Sequence, residues 1–111
     1  MSAEDHYLDA IEKLDSGDRD SALEHAYKAV KLDPEHVDAW HVISDAHLMA
    51  DGKPANLIDA SKSLSAVKKI VELDPTRIDI WVRGGRLLAD ELGLMFDALE
   101  WWQKVRPVSY T

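Results

Sequence analysis

Apolar side chains recur at spacings of three and four along almost the whole chain. This period follows the 3.6-residue turn of an α-helix and differs from the alternation of a strand, so each apolar stripe predicts an amphipathic helix. The six stripes lie at about residues 3–14, 19–32, 36–49, 54–73, 77–91 and 95–105. The pattern therefore predicts an all-α chain of three antiparallel helical hairpins.

Residues that end or begin helices stand between these stripes. Gly17 lies between the first two, and glycine readily takes the left-handed conformation found at helix ends. Pro34 and Pro75 close the second and fourth stripes, because a residue before proline is driven out of the helical region. Pro54 suits the first position of the fourth helix, and a turn near Gly93 precedes the sixth.

Two phrases of the sequence recur almost unchanged. Val-Lys-Leu-Asp-Pro ends at Pro34, and Val-Glu-Leu-Asp-Pro ends at Pro75. A tryptophan follows each proline by six residues, Trp40 in the first case and Trp81 in the second. A phrase that returns with its downstream tryptophan in register indicates an internal repeat.

These residues resemble the tetratricopeptide repeat, a helical hairpin with a period of 34 residues. The first helices carry the pattern at Tyr7, Ala10, Ile11 and Leu14, then Trp40, Ile43, Ser44 and His47, then Trp81, Gly84, Gly85 and Leu88. The second helices carry it at Ala22, Ala26 and Pro34, then Ser63, Val67 and Pro75, then Ala98 and Trp102. The resemblance implies one domain, a right-handed stack of repeats over about 3–34, 35–75 and 76–107, with a short tail over 106–111.

The second repeat is seven residues longer than the family period. Seven residues are almost two helical turns, so Leu57 and Leu64 can continue the stripe of Val67. We therefore expect the excess at the front of the fourth helix. Gly93 also comes one residue late in the third repeat, and the first repeat is one residue short.

Composition narrows the function further. The 111 residues have a net charge of −8, which disfavours nucleic-acid and anionic-lipid partners, and they include no cysteine, which excludes thiol chemistry. No apolar run is long enough for a signal peptide or a membrane span, so we expect a cytoplasmic protein. Met1 favours a complete chain over a fragment.

In proteins of this family, the first helices line a concave groove that commonly holds an extended peptide. The resemblance thus implies a non-catalytic protein-interaction module, an adaptor or scaffold, whose partner is a protein or peptide. By register, its groove residues include Leu8, Glu12, His41, Val42, Asp45, Val82, Arg83 and Arg86. We expect Leu8, Val42 and Val82 to be apolar anchors and the acidic residues to attract basic ligand residues. The two arginines can hold a carboxylate, unless they pair within the chain with Asp45, Asp79 or Asp90.

One subgroup of the family clamps the C-terminal carboxylates of heat-shock chaperones with lysine and asparagine on these helices. The corresponding positions here hold Leu8, Glu12, Val42, Asp79 and Arg83, of which only Arg83 matches. A receptor for chaperone tails is therefore not predicted.

Metal and catalytic sites are not predicted either. His36, His41 and His47 are spaced by five and six residues, so they do not share a helical face as ligands four apart would. His47 occupies an aromatic position of the repeat and is expected in the core. No cofactor motif is present, and Gly84 and Gly85 are expected to permit close helix packing.

Aromatic and apolar residues gather where the array ends, at Trp101, Trp102, Val105 and Tyr110. Trp102 fits an interior position, whereas Trp101 is expected to be exposed. An open apolar face on a terminal repeat predicts an interface, here a homodimer formed through the last repeat. This is the second functional hypothesis, a structural assembly subunit, and a tail folded back over the face is the alternative.

Overall fold

The computed structural model describes residues 1–48 and 56–103. Its helices are α1 (Ala3–Asp15), α2 (Arg19–Leu32), α3 (Val37–Leu48), α4 (Leu57–Leu73), α5 (Ile78–Arg86) and α6 (Met95–Gln103), and a π-helical turn (Leu87–Glu91) continues α5. Each consecutive pair of helices is in contact, so the hairpins α1–α2, α3–α4 and α5–α6 form a stack. The described residues contain no strand. The predicted all-α fold of stacked hairpins is confirmed.

The repeated spacing between proline and tryptophan has a structural cause. The indole Nε1 of Trp40 donates a hydrogen bond to the carbonyl oxygen of Pro34 at 2.8 Å, and Trp81 donates in the same way to Pro75 at 2.9 Å. Each bond satisfies a backbone acceptor in the turn between two hairpins, where no helical donor is in place. The recurring phrase therefore encodes the same turn twice.

The sequence had suggested that all seven extra residues of the second repeat lie at the front of α4. The structure places only part of them there. Asn56 caps this helix, because its side chain accepts a hydrogen bond from the backbone N–H of Asp59 at 2.8 Å. Helix α4 therefore begins at Leu57 and has 17 residues, three more than the 14 of α2. The turn predicted at 51–54 lies outside the described residues.

Alanines form much of the contact between the first two hairpins. Ala10, Ala26 and Ala39 are fully buried there, and Ile43, 1% exposed, packs among them. Small side chains on facing helices allow the backbones to approach closely, and the larger isoleucine fills the remaining space.

A chain of polar contacts crosses the same junction through His47, which is buried as predicted. Its Nε2 lies 2.9 Å from the hydroxyl of Tyr27, and its Nδ1 lies 3.1 Å from Oδ1 of Asp59. Arg19 donates to the same carboxylate oxygen at 2.6 Å and to the carbonyl oxygen of Ala46 at 2.9 Å. These bonds link α2, α3 and α4.

The third hairpin packs differently, with tryptophans of α6 seated on glycines of α5. A Cβ atom at Gly84 would overlap the ring of Trp101, and one at Gly85 would overlap the ring of Trp102. The predicted close packing at the two glycines is confirmed. Trp101 is only 6% exposed, and its Nε1 donates to the carbonyl oxygen of Trp81 at 2.6 Å. The expected exposure of Trp101 is therefore wrong, because the missing side chain of Gly84 leaves room for its indole.

The π-helical turn explains why Gly93 comes one residue late. The N–H of Leu92 donates to the carbonyl oxygen of Leu87 at 2.9 Å, a bond that spans five residues instead of four. Such a turn contains one residue more than an α-helical turn. Gly93, with a φ of +68°, then ends the element in the left-handed conformation.

Candidate protein-interaction face

Two open pockets lie along the face that α1, α3 and α5 share. The N-terminal pocket, of about 180 Å³, is lined by Tyr7, Ile11, Leu14, Asp38, His41, Val42, Asp45 and Arg77. The C-terminal pocket, of about 510 Å³, is lined by Leu48, Asp79, Val82, Arg83, Arg86, Leu87, Asp90 and Glu91. Helix α3 contributes to both, so the two pockets follow one another along the stack.

The predicted groove residues of α3 and α5 are brought together in this way, but those of α1 are not. Leu8 and Glu12 are exposed on α1 and line neither pocket. Val82 is 41% exposed and can serve as an apolar anchor in the C-terminal pocket. Val42 is only 2% exposed because it packs in the core beside Ile43. It forms the floor of the N-terminal pocket, and the anchor role expected for it is not supported.

Asp45 joins the two pockets through a network between α3 and α5. Arg83 forms an ion pair with Oδ1 of Asp45 and also donates to the hydroxyl of Ser44 at 3.3 Å. Nδ1 of His41 lies 3.0 Å from Oδ2 of the same carboxylate. Burial pushes the pKa of Asp45 upward, but the hydrogen bond with His41 and the charge of Arg83 outweigh it. The pKa therefore lies below its ordinary value, and Asp45 stays ionised.

A buried pair of serine hydroxyls, on α3 and α4, is in contact with this network through Ser44. The Oγ atoms of Ser44 and Ser63 lie 2.9 Å apart, and the hydroxyl of Ser63 also lies 3.0 Å from the carbonyl oxygen of Ser44. Both residues are fully buried at small positions of the repeat pattern. The hydroxyls satisfy one another where a neighbouring helix leaves no room for water.

Two arginines on this face are occupied by neighbouring carboxylates. Arg83 pairs with Asp45, as the alternative interpretation of the sequence allowed. Arg77 pairs with Asp79 through Nε at 3.2 Å and Nη2 at 3.3 Å, which holds the pKa of that carboxyl below its ordinary value. Within residues 1–48 and 56–103, Arg86 has no ion pair.

Several acidic side chains beside the pockets form no ion pair with another described residue. Asp38 borders the N-terminal pocket, while Asp90 and Glu91 border the C-terminal pocket, and all three are exposed. The sequence did not predict Asp90 or Glu91 as groove residues. Both belong to the π-helical turn, where the regular helical register used for the prediction no longer holds. The late position of Gly93 was the available sign that the end of α5 departs from the regular pattern.

A third open pocket lies away from this face, between α4 and α6. This α4–α6 groove, of about 750 Å³, is lined by Ser61, Leu64, Lys68, Val71, Glu72, Trp81, Leu88, Leu92, Leu94, Asp97, Glu100 and Trp101. The backbones of α4 and α6 stay more than 8 Å apart from Cα to Cα, and α5 with its π-helical turn lies at the base of the groove. The sequence did not predict it.

Over the described parts of the chain, no three histidine, aspartate or glutamate side chains come together as a metal site would require. No helix in those parts is both long enough and apolar enough to cross a bilayer.

The fold has a counterpart among solved structures. No known family profile matches the chain, and no curated protein matches its sequence. The crystal structure of MamA protein superposes with a TM-score of 0.75 at 19% sequence identity, over 98% of this chain. The chain spans 58% of the length of the MamA chain. This likeness shows the fold, and six helices stacked in this way fit a tetratricopeptide-like architecture.

Proposed function

We propose that this protein is a non-catalytic interaction module that holds an extended segment of a partner protein across the N-terminal and C-terminal pockets. The observation that carries the proposal is the succession of two pockets along the shared face of α1, α3 and α5. Exposed Val82 offers an apolar contact, and the neighbouring charges offer directional ones. Pockets lined by apolar walls with a few placed polar groups are the usual form of a recognition site.

The charges on this face favour a partner segment that carries lysine or arginine. Asp38, Asp90 and Glu91 form no ion pair with another described residue, whereas Arg77 and Arg83 are already paired. Arg86 is the one lining cation of the C-terminal pocket without an ion pair among the described residues. It is therefore the residue that can meet an acidic group of the partner, and the pair of arginines expected from the sequence is reduced to one.

Selection from a library of displayed random dodecapeptides tests this proposal. The selected peptide is synthesised, and its dissociation constant is measured for wild type and for Val82→Asp on the groove face. The control is Ile58→Asp, which places the same charge on an aliphatic side chain that is 69% exposed on α4. We expect at least tenfold weaker binding for Val82→Asp and little change for the control. Equal affinities for the three proteins would contradict the groove as the binding site.

A second candidate function is self-association, favoured by the outer face of α6. Met95, Phe96 and Leu99 are 53%, 86% and 49% exposed on this short helix, and contiguous apolar surface at the end of an array is typical of an interface. The surface differs from the predicted one, because Trp101 is buried and Val105 and Tyr110 lie outside the described residues. We expect sedimentation equilibrium to show a dimer that Phe96→Glu dissociates and Ile58→Glu leaves intact.

A further inference from the structure

The α4–α6 groove is an open channel whose lining is mainly apolar. Seven of its twelve lining residues have apolar side chains. Leu64, Leu88 and Trp101 form its floor and keep between 6% and 7% of their surface exposed, whereas Leu94, at its edge, is 45% exposed. The groove therefore offers apolar contact to a partner that can reach between the two helices.

The rim of this groove is acidic. It carries three carboxylates and one ammonium group, those of Glu72, Asp97, Glu100 and Lys68, and all four residues are exposed. None of the four forms an ion pair with another described residue. Asp97 and Glu100 are three residues apart on α6, so their like charges lie about one turn apart and repel each other. Cationic side chains of a partner would relieve this repulsion.

The walls of the groove favour a helical partner over an extended one. The α4 wall runs from Ser61 to Glu72, a rise of about 16 Å or three turns. An extended segment would bring its backbone N–H and C=O groups against apolar side chains, while the surrounding helices use their own backbone groups internally. A helix satisfies its backbone by itself and can lay an apolar stripe along such a channel.

We propose that the α4–α6 groove binds a cationic amphipathic helix of a partner protein, with its apolar stripe on the floor and lysine or arginine beside the rim. A second copy of α6 is a poorer occupant, because it would bring its own Asp97 and Glu100 against the same acidic rim. On α5, Trp81 lines the groove and Val82 lines the C-terminal pocket. The two sites lie on different faces of α5, so the module can hold two partners at once.

Fluorescence anisotropy with a designed peptide tests the proposal. The probe is a fluorescein-labelled peptide of about fourteen residues, made of leucine and lysine with the leucines spaced to give a helix one apolar face. One control peptide has the same residues in an order without an apolar face, and another has glutamate in place of lysine. We expect the full-length protein to bind the probe at least tenfold more tightly than either control. Equal affinity for the probe and the reordered peptide would overturn the proposal, because net charge alone would then explain binding.

A matched pair of leucine variants locates the site. Leu94→Asn removes an apolar contact at the edge of the groove, whereas Leu99→Asn changes a similarly exposed leucine, 49% against 45%, that does not line it. Residue 94 immediately precedes α6, where asparagine is a favoured cap, so the first variant is expected to fold. We expect at least fivefold weaker binding of the probe for Leu94→Asn and no change for Leu99→Asn. Equal affinities would contradict the proposal.

Charge reversal tests the acidic rim. Glu72→Lys combined with Glu100→Lys reverses two rim carboxylates. Glu12→Lys combined with Glu35→Lys makes the same change in net charge at exposed positions outside the groove. At about 0.1 M salt we expect at least tenfold weaker binding for the first pair and less than twofold for the second. Equal losses would show that the rim has no particular role. Circular dichroism of each variant checks that the stack is folded.

Two further measurements distinguish other occupants and other sites. In sedimentation equilibrium without peptide, a dimer that Leu94→Asn dissociates and Leu99→Asn leaves intact would mean that a second copy occupies the groove, which would overturn the proposal. In two-dimensional nitrogen–proton NMR spectra, shift changes in α4 and α6 on addition of the probe would support it. Changes confined to α1 and α3 would place the probe on the face of the two interaction pockets and would contradict it.

Discussion

The junction of the first two hairpins and the interior of the third reach close helix contact by opposite means. In the first, alanines such as Ala10, Ala26 and Ala39 stand on both facing surfaces, and polar contacts around His47 link three helices. In the third, one helix carries glycines and the other carries tryptophans. Hairpins with the same repeat pattern can therefore pack through many small side chains or through a few large aromatic rings.

A single position of the repeat shows the contrast most clearly. Ser44 and Gly85 both follow the repeat tryptophan by four residues. In the second hairpin the hydroxyl of Ser44 is accommodated by Ser63, whereas in the third even a Cβ atom at Gly85 would overlap Trp102. Equivalent positions in the repeat thus differ in the size of side chain that they accept, because the residues of the facing helix determine the space available.

The largest expected effect comes from removing the ring that fills the third hairpin. We expect Trp101→Ala to lower the free energy of unfolding by about 3–5 kcal/mol, because the deleted side chain leaves a cavity over Gly84. Stability in stacked repeats depends on neighbours, so the third hairpin should unfold before the first two. Urea titration followed by circular dichroism would then show two transitions in place of one.

The matched control is Phe96→Ala, since Phe96 is an aromatic residue of the same helix that is 86% exposed. At a concentration where the protein is monomeric, a surface substitution of this kind should change the unfolding free energy by less than about 0.5 kcal/mol. If Trp101→Ala and Phe96→Ala behaved alike, the tryptophan would not be the main support of the third hairpin.

The next largest change in stability is expected from alanine substitutions at the equivalent positions 44 and 85. Gly85→Ala should destabilise by about 1–3 kcal/mol through overpacking, although alanine has the higher helix propensity by about 1 kcal/mol. Ser44→Ala removes the buried hydrogen bond with Ser63 and the 3.3 Å hydrogen bond from Arg83, but it leaves Ser63 near the carbonyl oxygen of residue 44, so about 1 kcal/mol is expected. Thermal unfolding measures both. A stabilised Gly85→Ala would show that Trp102 can move away at little cost.

The sequence allowed the helices and the repeated turn to be predicted because both depend on local chemistry. The six-residue spacing between Pro34 and Trp40 allows a local hydrogen bond between them. The helix ends follow from nearby capping residues and turns. The burial of Trp101 could not be predicted in this way. It depends on the empty space above Gly84, and that space exists only once α5 and α6 are placed together.

The same distinction applies to the candidate site. Register grouped Val82 and Arg86, which both line the C-terminal pocket, but it could not show that Arg83 forms an ion pair with Asp45, which is 38 residues away in the chain. The α4–α6 groove was missed because it arises where the backbones of two second helices stay more than 8 Å apart from Cα to Cα. Contacts between distant residues decide which charges remain available to a partner.

A smaller effect concerns the charges that join the second and third hairpins. Arg83→Gln should destabilise by about 1 kcal/mol at neutral pH, a modest value because the side chains of Arg83 and Asp45 remain 30% and 34% exposed. Arg86→Gln, a neighbour of the same type without an ion pair among the described residues, is the control and should have almost no effect. Chemical denaturation of both variants provides the measurement.

The pH dependence of this pair has a definite sign. Because the native state holds the pKa of Asp45 below its ordinary value of 3.8, the ion pair contributes stability above that value. The contribution is lost as the pH falls through the lowered pKa. The difference between wild type and Arg83→Gln should therefore disappear in strong acid, and a difference that persisted there would need another cause.

The smallest expected effect tests the polar contacts at the first junction. Burial lowers the pKa of His47 from its usual 6.5, although Asp59 opposes that shift, and Arg19 and Lys62 add to it. The unfolded chain then binds a proton more readily than the native one, so the stability contributed by neutral His47 declines as the pH falls below about 6.5. Between pH 7.5 and 5.5, wild type should lose up to about 1 kcal/mol more than His47→Gln, which cannot titrate. The other histidines are common to both proteins, and the difference between their melting curves isolates this one. Equal losses would mean that Asp59 fully compensates the burial of the ring, and the first junction would then hold its helices together independently of pH.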